Sequence, residues 1–402
     1  MKPLKSLISL EEGKKILFSH LRPVNRKERV SLTDAYTRVL AEDIIAWMDV
    51  PPFSRAAMDG YAVKAKDTYG AKNTKPVLLK VAGSVLAGQF FEGQLKEGEC
   101  MQIATGSPLP EGADAVVMVE DTEKEGENFV KIYRSLPPGA NVSFAGEDIK
   151  KGEKVLSRGD FLNPAKIGVL AALGKKEVEV YHKPKVAIIP TGEEIVSPGE
   201  KLERGKIYDV NSYTLYCLVK ENGCEPVLFP PVKDELNSIK KAVKEALLTD
   251  MVIISGGSSV GERDLIQQAL LEMGEMLFHG IAVKPGKPTV AFFIEGKIVL
   301  GMPGYPTSCL TNGYGFVVPL LREMAHLPPK KEVKVKASLS RRITSTLGRH
   351  QYLPVKLENG QAVPVFKESG AITSMSEAEG FIEIPANVDL LEKGDEVEVR
   401  LF

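Results

Sequence analysis

Residues 251–264 read MVIISGGSSVGERD, and this stretch decides the fold class. The apolar run from Met251 to Ser255 has the length of a buried strand, and it enters a glycine-rich turn. A helical pattern begins at Asp264. A strand, a turn and a helix in this order form the repeating unit of a parallel sheet. The turn follows the carboxyl end of the strand, where such sheets bind ligands.

The same alternation extends on both sides of this stretch, from residue 183 to about residue 327. Apolar runs predict strands and amphipathic segments predict helices. We expect strands at 185–190, 226–229, 251–255, 289–294 and 298–300, and helices at 212–221, 235–248, 264–273 and 307–323. The alternation predicts an open, largely parallel sheet covered on both faces, which is a three-layer α/β domain.

The flanking regions have different patterns. Residues 49–143 read as short strands broken by Gly, Pro and Asp, which predicts a mostly β module. Residues 331–402 alternate with period two, which predicts a small β domain or barrel.

Three short helices are expected outside these β regions. Ser9-Leu10-Glu11-Glu12 is a capping box that opens a helix ending near His20. A second helix is expected from about Thr33 to Ala41. The apolar run from Ile167 to Leu173 stops at Gly174, which is typical of a helix C-cap.

Composition excludes several classes of protein. The 402 residues exceed what one hydrophobic core organises, and 43% hydrophobic with 26% charged residues is an ordinary globular composition. The net charge of -1 lacks the basic excess of nucleic-acid-binding proteins. We expect neither a nucleic-acid partner nor a membrane, since no stretch approaches the length of a membrane span. Four cysteines without a C-x-x-C pair argue against a zinc site, and with no secretory signal pattern we expect a cytoplasmic location.

The glycine-rich turn is the first candidate site. The residues Ser255, Gly256, Gly257, Ser258 and Gly261 allow a ligand to approach the backbone, and free N–H groups at a helix start attract anions. Asp264 could cap the helix or carry a divalent cation beside a phosphate. An ordinary strand–helix turn with an N-cap explains the same residues equally well.

Lys284-Pro285-Gly286-Lys287-Pro288 is the second candidate site. Pro followed by Gly suits the central positions of a type II turn, which would bring Lys284 and Lys287 together. Two neighbouring ammonium groups repel each other unless an anion lies between them, so the segment suggests an oxyanion site. The alternative is a solvated turn with two incidental lysines.

Other loops follow predicted strands. Thr191-Gly192-Glu193-Glu194 and Pro303-Gly304 do so, and Asp234 opens a helix. Glu194, Asp234 and Asp264 would converge at one sheet edge and could serve Mg²⁺-dependent phosphoanhydride chemistry, although capping is the more frequent role of such residues. In the β module, Asp59-Gly60 is by default a hairpin turn. Thr105-Gly106-Ser107-Pro108 is likewise a turn by default.

These segments together resemble the molybdopterin molybdenumtransferase family, the metal-insertion enzymes of molybdenum cofactor synthesis, which are similar also to the C-terminal domain of gephyrin. The matching stretches occur in family order. They are 51–62, 103–106, 146–149, 191–194, 208–212, 255–264, 284–288 and 303–308. The sequence departs from the family pattern at Tyr305, where many members have Asn, and at Arg55.

The resemblance implies four domains and an elongated homodimer. The four domains are a small mixed domain of residues 1–48 and 144–182, a β-rich insertion of residues 49–143, an α/β domain of residues 183–330 like that of molybdopterin adenylyltransferases, and a C-terminal β-barrel of residues 331–402. The active site would combine the α/β domain of one subunit with the β insertion of the other. Other proteins of cofactor synthesis are candidate partners.

The resemblance also implies the reaction. Adenylyl-molybdopterin and molybdate, or tungstate, would be the substrates, Mg²⁺ the cofactor and AMP a product. The catalytic positions would be Asp59, Thr105, Asp148, Glu194, Asp234, Asp264, Lys284 and Lys287. The three acidic residues Glu194, Asp234 and Asp264 would hold the metal. Ligand-binding positions would be Thr191, Gly192, the glycine turn, Pro303 and Gly304, with Arg349 and Ser374 near the oxyanion.

Two other functions stay open on sequence grounds. The α/β domain alone would permit an adenylyltransferase that makes the adenylylated intermediate. A gephyrin-like scaffold that binds receptor peptides is the other alternative, although the chain has no second fused enzyme domain.

Overall fold

The computed structural model describes residues 7–256 and 265–402. The chain divides into two compact units. The body unit comprises Met1–Val30, Thr37–Ala41 and Glu179–Phe402, and the inserted unit comprises Ser31–Tyr36 and Glu42–Val178. Two strands, Lys27–Ser31 and Glu177–Tyr181, lie where the chain passes between the units.

The centre of the body unit is a six-stranded sheet. Its strands lie in the order Glu225–Leu228, Lys185–Pro190, Met251–Ser255, Lys297–Met302, Val290–Ile294 and Glu275–His279. The first four strands are parallel, and Val290–Ile294 is antiparallel to both of its neighbours. The predicted largely parallel sheet is confirmed, with the unpredicted strand Glu275–His279 at one edge.

Helices cover both faces of this sheet, as predicted. Val186 and Ile188 point into a core on one face, and Ala187 and Ile189 point into a core on the other. This follows from the alternation of side chains along a strand. The first face carries the helices Leu10–His20, Asn211–Glu221, Pro306–Asn312 and Val318–Met324, and the second carries Leu236–Ala246 and Leu265–Leu271.

The N-terminal helix has the expected cap. The Ser9 hydroxyl accepts a hydrogen bond from the Glu12 N–H at 3.1 Å. Leu10 and Leu17 are buried in the core of the sheet's first face. The capping box therefore sets the helix start, and the two leucines fix the helix to the body unit.

The second predicted helix is shorter than expected. It covers Leu32–Ala35 and ends before Thr37, which has a left-handed φ of +64°. A β-branched residue with positive φ cannot continue a helix. Leu40 instead forms a β-bridge with Val180. The extension of this helix to Ala41 was wrong.

The predicted helix 307–323 is interrupted. A π-helical segment, Gly313–Val317, separates Pro306–Asn312 from Val318–Met324. Pro319 has no N–H to donate to the carbonyl of Gly315, which breaks the regular helical ladder. The continuous helix was therefore wrong in its middle turn.

The C-terminal sheet closes into a barrel, as predicted. Five strands form it: His350–Glu358, Gln361–Pro364, Lys334–Leu339, Glu396–Leu401 and Gly380–Ile384. The last strand pairs again with the first. The short strand Val283–Lys284 of the body unit runs parallel to the start of His350–Glu358. Further elements here are Ile343–Thr344, Leu390–Leu391 and the helix Thr373–Ser376.

The inserted unit is mostly β, as expected for residues 49–143. Its six-stranded sheet has the order Ala115–Met118, Gly60–Val63, Glu99–Ile103, Val77–Val85, Phe129–Ile132 and Thr122–Glu125. Two short pairs accompany it, Arg55–Ala56 with Val142–Ser143 and Ile44–Ile45 with Lys154–Leu156. The helix Pro164–Ala172 ends before Gly174, whose φ of +68° confirms the expected C-cap.

Two further findings concern membrane-spanning helices and the cysteines. Within residues 7–256 and 265–402, no helix combines the length and apolar character needed to cross a membrane. All four cysteines are free thiols, and Cys100, Cys224 and Cys309 are buried.

Candidate active site

Three predicted ligand-binding loops meet at one edge of the central sheet. The parallel register pairs Pro190 with Ser255 and Ser255 with Met302, so three strands end side by side. Thr191, Gly256 and Pro303 follow directly. The Thr191 N–H donates to the Ser255 carbonyl at 2.9 Å. The carboxyl ends of the strands therefore form a continuous, backbone-lined edge.

Glycine is needed at this edge because the loops approach closely. Gly256 has a φ of +103°, and a Cβ there would lie 2.2 Å from the Thr191 carbonyl oxygen. A Cβ on Gly304 would lie 3.6 Å from the Gly256 Cα. The Asn211 amide donates to the Gly304 carbonyl at 2.8 Å and so fixes the third loop.

Asn211 and Ser212 are candidate functional residues to which the sequence reasoning assigned no role. Both side chains are buried, and Asn211 Oδ1 and Ser212 Oγ have no hydrogen-bond partner among the described residues. Buried unpaired polar atoms beside a ligand site are candidates for ligand contacts. The sequence signal was their place in the stretch 208–212, directly before the helix Asn211–Glu221.

Two predicted metal ligands lie close together. Burial raises the pKa of Asp234, and the negative charge of Glu194 raises this pKa further, although the Glu193 N–H donates to the Asp234 carboxylate and opposes the rise. Two carboxylates that repel each other form a donor pair suited to a divalent cation.

The third predicted metal ligand, Asp264, lies outside the described residues, as do Gly257, Ser258 and Gly261. Within the described ranges, no group of three or more His, Cys, Asp or Glu side chains is arranged to hold a metal ion. Glu194 and Asp234 are thus two members of the predicted set.

The lysine-containing loop was expected to contain a type II turn. Gly286 has a φ of +108°, and such a turn requires a positive φ at its second central residue. The Lys284–Pro285 peptide bond is cis. The Ile281 N–H donates to the Lys287 carbonyl at 3.1 Å and closes a longer loop that carries both lysines.

The surroundings of the two lysines are short of negative charge. Both side chains are half-buried, and no described carboxylate lies within ion-pair distance of either. The Lys284 ammonium donates to the Thr346 hydroxyl of the barrel at 3.2 Å. Thr346 was not predicted as a site residue, because 62 positions separate it from Lys284.

Arg349 and Ser374 occupy different environments. Arg349 is half-buried in the turn that follows Thr346. Ser374 is fully buried, and its hydroxyl accepts a hydrogen bond from the Lys367 N–H at 2.9 Å. No hydrogen bond joins these two side chains.

In the inserted unit, Asp59 and Thr105 form a hydrogen-bonded pair. One carboxylate oxygen accepts from the Thr105 N–H at 2.7 Å and from the Thr105 hydroxyl at 2.8 Å. These bonds hold the pKa of Asp59 below its ordinary value, the N–H bond contributing most. The residues are 46 positions apart, so the sheet brings them together. Both side chains are exposed, so the pair can meet a ligand.

The default interpretation of Asp59-Gly60 as a hairpin turn was wrong. The strand Gly60–Val63 pairs with Glu99–Ile103 and Ala115–Met118, not with the segment before it. Gly60 is required because a Cβ would lie 1.8 Å from the Val117 carbonyl oxygen.

Asp148 lies on a separate turn of the inserted unit. Its N–H donates to the Val50 carbonyl at 3.0 Å, and its side chain is exposed. No hydrogen bond joins its carboxylate to Asp59 or Thr105.

Three family models match successive parts of the chain. They are the MoeA N-terminal region (domain I and II) over residues 8–174, the "Probable molybdopterin binding domain" over residues 187–323, and the MoeA C-terminal region (domain IV) over residues 336–402. Together they cover most of the sequence.

Curated relatives and solved structures agree with these matches. A molybdopterin molybdenumtransferase of Bacillus subtilis is 34% identical over 95% of this chain and 91% of its own length, and one of Staphylococcus aureus is 33% identical over 92% and 90%. A crystal structure of a molybdopterin biosynthesis MoeA protein from Pyrococcus horikoshii OT3 has 37% identity and a TM-score of 0.84, covering 99% of this chain and 100% of that one. A second Pyrococcus structure has 43% identity and a TM-score of 0.87, covering 98% and 99%.

Proposed function

The chain belongs to the MoeA family of molybdopterin molybdenumtransferases, and on this basis we propose that it inserts molybdate into adenylyl-molybdopterin and releases AMP. The observation that carries the proposal is the strand-end register that places Thr191, Gly256 and Gly304 at one edge. Such an edge offers backbone N–H groups to nucleotide phosphates. Tungstate has nearly the same size and charge as molybdate and is a second candidate substrate.

The proposed reaction has two parts. Water adds to one phosphorus of the phosphoanhydride, the bridging P–O bond breaks, and AMP leaves while molybdopterin keeps its own phosphate. At the dithiolene, two sulfurs bind molybdenum, and one molybdate oxygen leaves as water with the two thiol protons. No redox partner is needed for either part.

Glu194 and Asp234 are the residues proposed to hold Mg²⁺, together with Asp264. Burial and, after it, the negative charge of Glu194 raise the pKa of Asp234, which fits a pair of carboxylates that shares a divalent cation. When bound there, Mg²⁺ would supply positive charge to the phosphate oxygens. Thr191 and Gly192 are proposed to lie against the same phosphates, although their own N–H groups already donate to the carbonyls of Ser255 and Val232.

Lys284 and Lys287 are proposed to bind the oxyanion. Neither lysine is neutralised by a described carboxylate, so both charges are available to a dianion. Thr346 adds a hydroxyl beside Lys284. Arg349 and Ser374 are proposed as further contacts. The Ser374 hydroxyl accepts from the Lys367 N–H and keeps its own proton to donate to the oxyanion.

The inserted unit is proposed to act across a homodimer in the cytoplasm. Asp59, Thr105 and Asp148 are its candidate residues. The side chains of Met58 and Phe53, near Asp59 in sequence, are 46% and 43% exposed. We propose that a second subunit covers these exposed apolar side chains. The four-domain division predicted from the sequence is part of the same proposal.

Release of AMP tests the function directly. Purified protein is incubated with adenylyl-molybdopterin, Mg²⁺ and molybdate, and AMP is measured by chromatography. Asp234→Asn should slow the release at least about tenfold, because one charged metal contact is lost. Asp250→Asn is the matched control, since Asp250 precedes the strand Met251–Ser255 at the opposite edge of the sheet. It should release AMP at the normal rate.

Two outcomes would refute the proposal. The first is no AMP release under conditions in which the Bacillus subtilis relative is active. The second is accumulation of adenylyl-molybdopterin from ATP and molybdopterin, which would indicate an adenylyltransferase. Full activity of Asp59→Ala, together with capture of receptor peptides, would favour a scaffold role for the inserted unit.

A further inference from the structure

A hydrogen-bond network lies beneath the lysine-containing loop. Its donors are all paired, whereas Asn312 Oδ1 is buried without a hydrogen-bond partner among the described residues. The Asn312 amide nitrogen donates to the Gly286 carbonyl at 2.8 Å and to the Thr289 hydroxyl at 2.7 Å. The Thr289 hydroxyl donates in turn to the same Gly286 carbonyl at 3.0 Å. Each of the two amide protons and the hydroxyl proton therefore has one acceptor.

This network is shielded from water. Asn312 is fully buried, Thr289 is 1% exposed, and Gly286 is buried. Hydrogen bonds that solvent cannot reach strengthen one another and hold their groups rigidly. The Gly286 carbonyl is consequently held at a fixed point of the loop.

Gly286 also fits against Asn312 with no spare room. Its φ is +108°, and a Cβ at this position would lie 2.3 Å from Asn312 Nδ2. The loop backbone is thus packed directly on the amide, and the amide and the loop cannot move independently.

Gly286 lies between the two lysines in sequence, one residue from Lys287 and two from Lys284. Fixing its carbonyl therefore restricts the separation of the two lysine backbones. Two ammonium groups repel each other, and a flexible loop would let them move apart when no anion is bound. Holding them together in advance lowers the ordering cost of anion binding.

We propose that Asn312, acting with Thr289, is a positioning residue for oxyanion binding. It contacts no substrate. It presets the spacing of Lys284 and Lys287 through Gly286. The inference rests on the proposed function, because it takes the oxyanion of that reaction as the ligand of the two lysines.

The test compares variants that differ in one hydroxyl or one amide. Thr289→Val removes the hydroxyl and keeps the shape, whereas Thr289→Ser keeps the hydroxyl. Asn312→Leu removes both amide donors. Thr311→Val is the matched control, because Thr311 is equally buried in the same helix and its hydroxyl reaches only the Met375 sulfur at 3.9 Å.

Molybdate binding is measured by isothermal titration calorimetry, with tungstate as a second probe. Thr289→Val and Asn312→Leu should weaken the molybdate Kd about tenfold, because each breaks two of the three hydrogen bonds of the network. Thr289→Ser and Thr311→Val should stay within about twofold of the parent protein. In the AMP-release assay, the KM for molybdate should rise while the KM for adenylyl-molybdopterin stays unchanged.

The possible outcomes distinguish a failure of the positioning role from a failure of the proposed function. If the parent protein binds molybdate and Thr289→Val behaves like Thr311→Val, the positioning role is overturned and the proposed function stands. An equal rise in both KM values would show a general structural role and also overturn it. If the parent protein neither binds molybdate nor releases AMP, the proposed function fails and the inference fails with it. Should Asn312→Leu not fold, the two Thr289 variants decide the matter.

Discussion

Replacing Gly256 with alanine should damage both stability and nucleotide binding. The added Cβ would lie 2.2 Å from the Thr191 carbonyl oxygen, whereas real Cβ atoms essentially never come nearer than 3.0 Å to a neighbour. The obstructing atom belongs to the backbone, so no side-chain rotation relieves the overlap. The loop starting at Thr191 and the glycine turn would have to separate.

The expected loss of stability has two sources. Alanine at the Gly256 φ of +103° pays a conformational cost of about 1–2 kcal/mol. Overpacking at a closely packed site adds about 1–3 kcal/mol. We therefore expect the free energy of unfolding of the body unit to fall by roughly 2–5 kcal/mol.

A matched glycine isolates the conformational cost. Gly296 lies in the two-residue turn between the strands Val290–Ile294 and Lys297–Met302 and has a φ of +80°, and a Cβ added there would meet no neighbour within 4 Å. Gly296→Ala should cost only about 1–2 kcal/mol and leave AMP binding intact. Both variants are compared by urea unfolding and by AMP titration. Equal losses in the two variants would refute the close-approach reasoning.

Three further predictions concern the acidic residues. Thr105→Val should raise the pKa of Asp59 only part of the way towards its ordinary value. The hydrogen bond from the Thr105 N–H, which lowers this pKa most, remains in the variant. An NMR titration of the carboxyl carbon measures the shift. Glu194→Gln should lower the pKa of Asp234. In the parent protein, the raised pKa means that the folded state binds a proton at Asp234 more tightly than the unfolded chain does. The free energy of unfolding therefore falls as the pH rises from the ordinary pKa of an aspartate through the raised one. In the variant this fall should be smaller. Asp234→Asn should increase the Mg²⁺ concentration needed for half-maximal AMP release at least about tenfold.

Local patterns predicted the secondary structure well where one signal dominated. The strands Lys185–Pro190 and Met251–Ser255 have the predicted bounds, because each apolar run is buried on both faces of the sheet. The helix Leu10–His20 begins where the capping box places it.

Prediction failed where contacts distant in sequence overrode local preference. The continuous helix over 307–323 failed for a local reason instead, because Pro319 cannot donate to the Gly315 carbonyl and the segment Gly313–Val317 is π-helical. The strand Glu275–His279 was missed because its five residues gain their partner only from Val290–Ile294.

The candidate site shows the same limit. The sequence predicted that the loops after the strands 185–190, 251–255 and 298–300 lie at one edge, because parallel strands share a direction. It could not find the bond between Lys284 and Thr346, since that contact depends on how the barrel packs against the rest of the body unit.

The helix Pro306–Asn312 explains how one site can serve two chemically different ligands. It begins two residues after Gly304, which contacts the glycine turn, and it ends at Asn312, which holds the oxyanion loop. Seven helical residues rise about 10 Å. The proposed phosphate-binding edge and the lysine pair are therefore set apart by a helix rather than by a flexible loop. If the proposed function is correct, the distance between the phosphoanhydride bond and the entering oxyanion is set by this helix before either substrate binds.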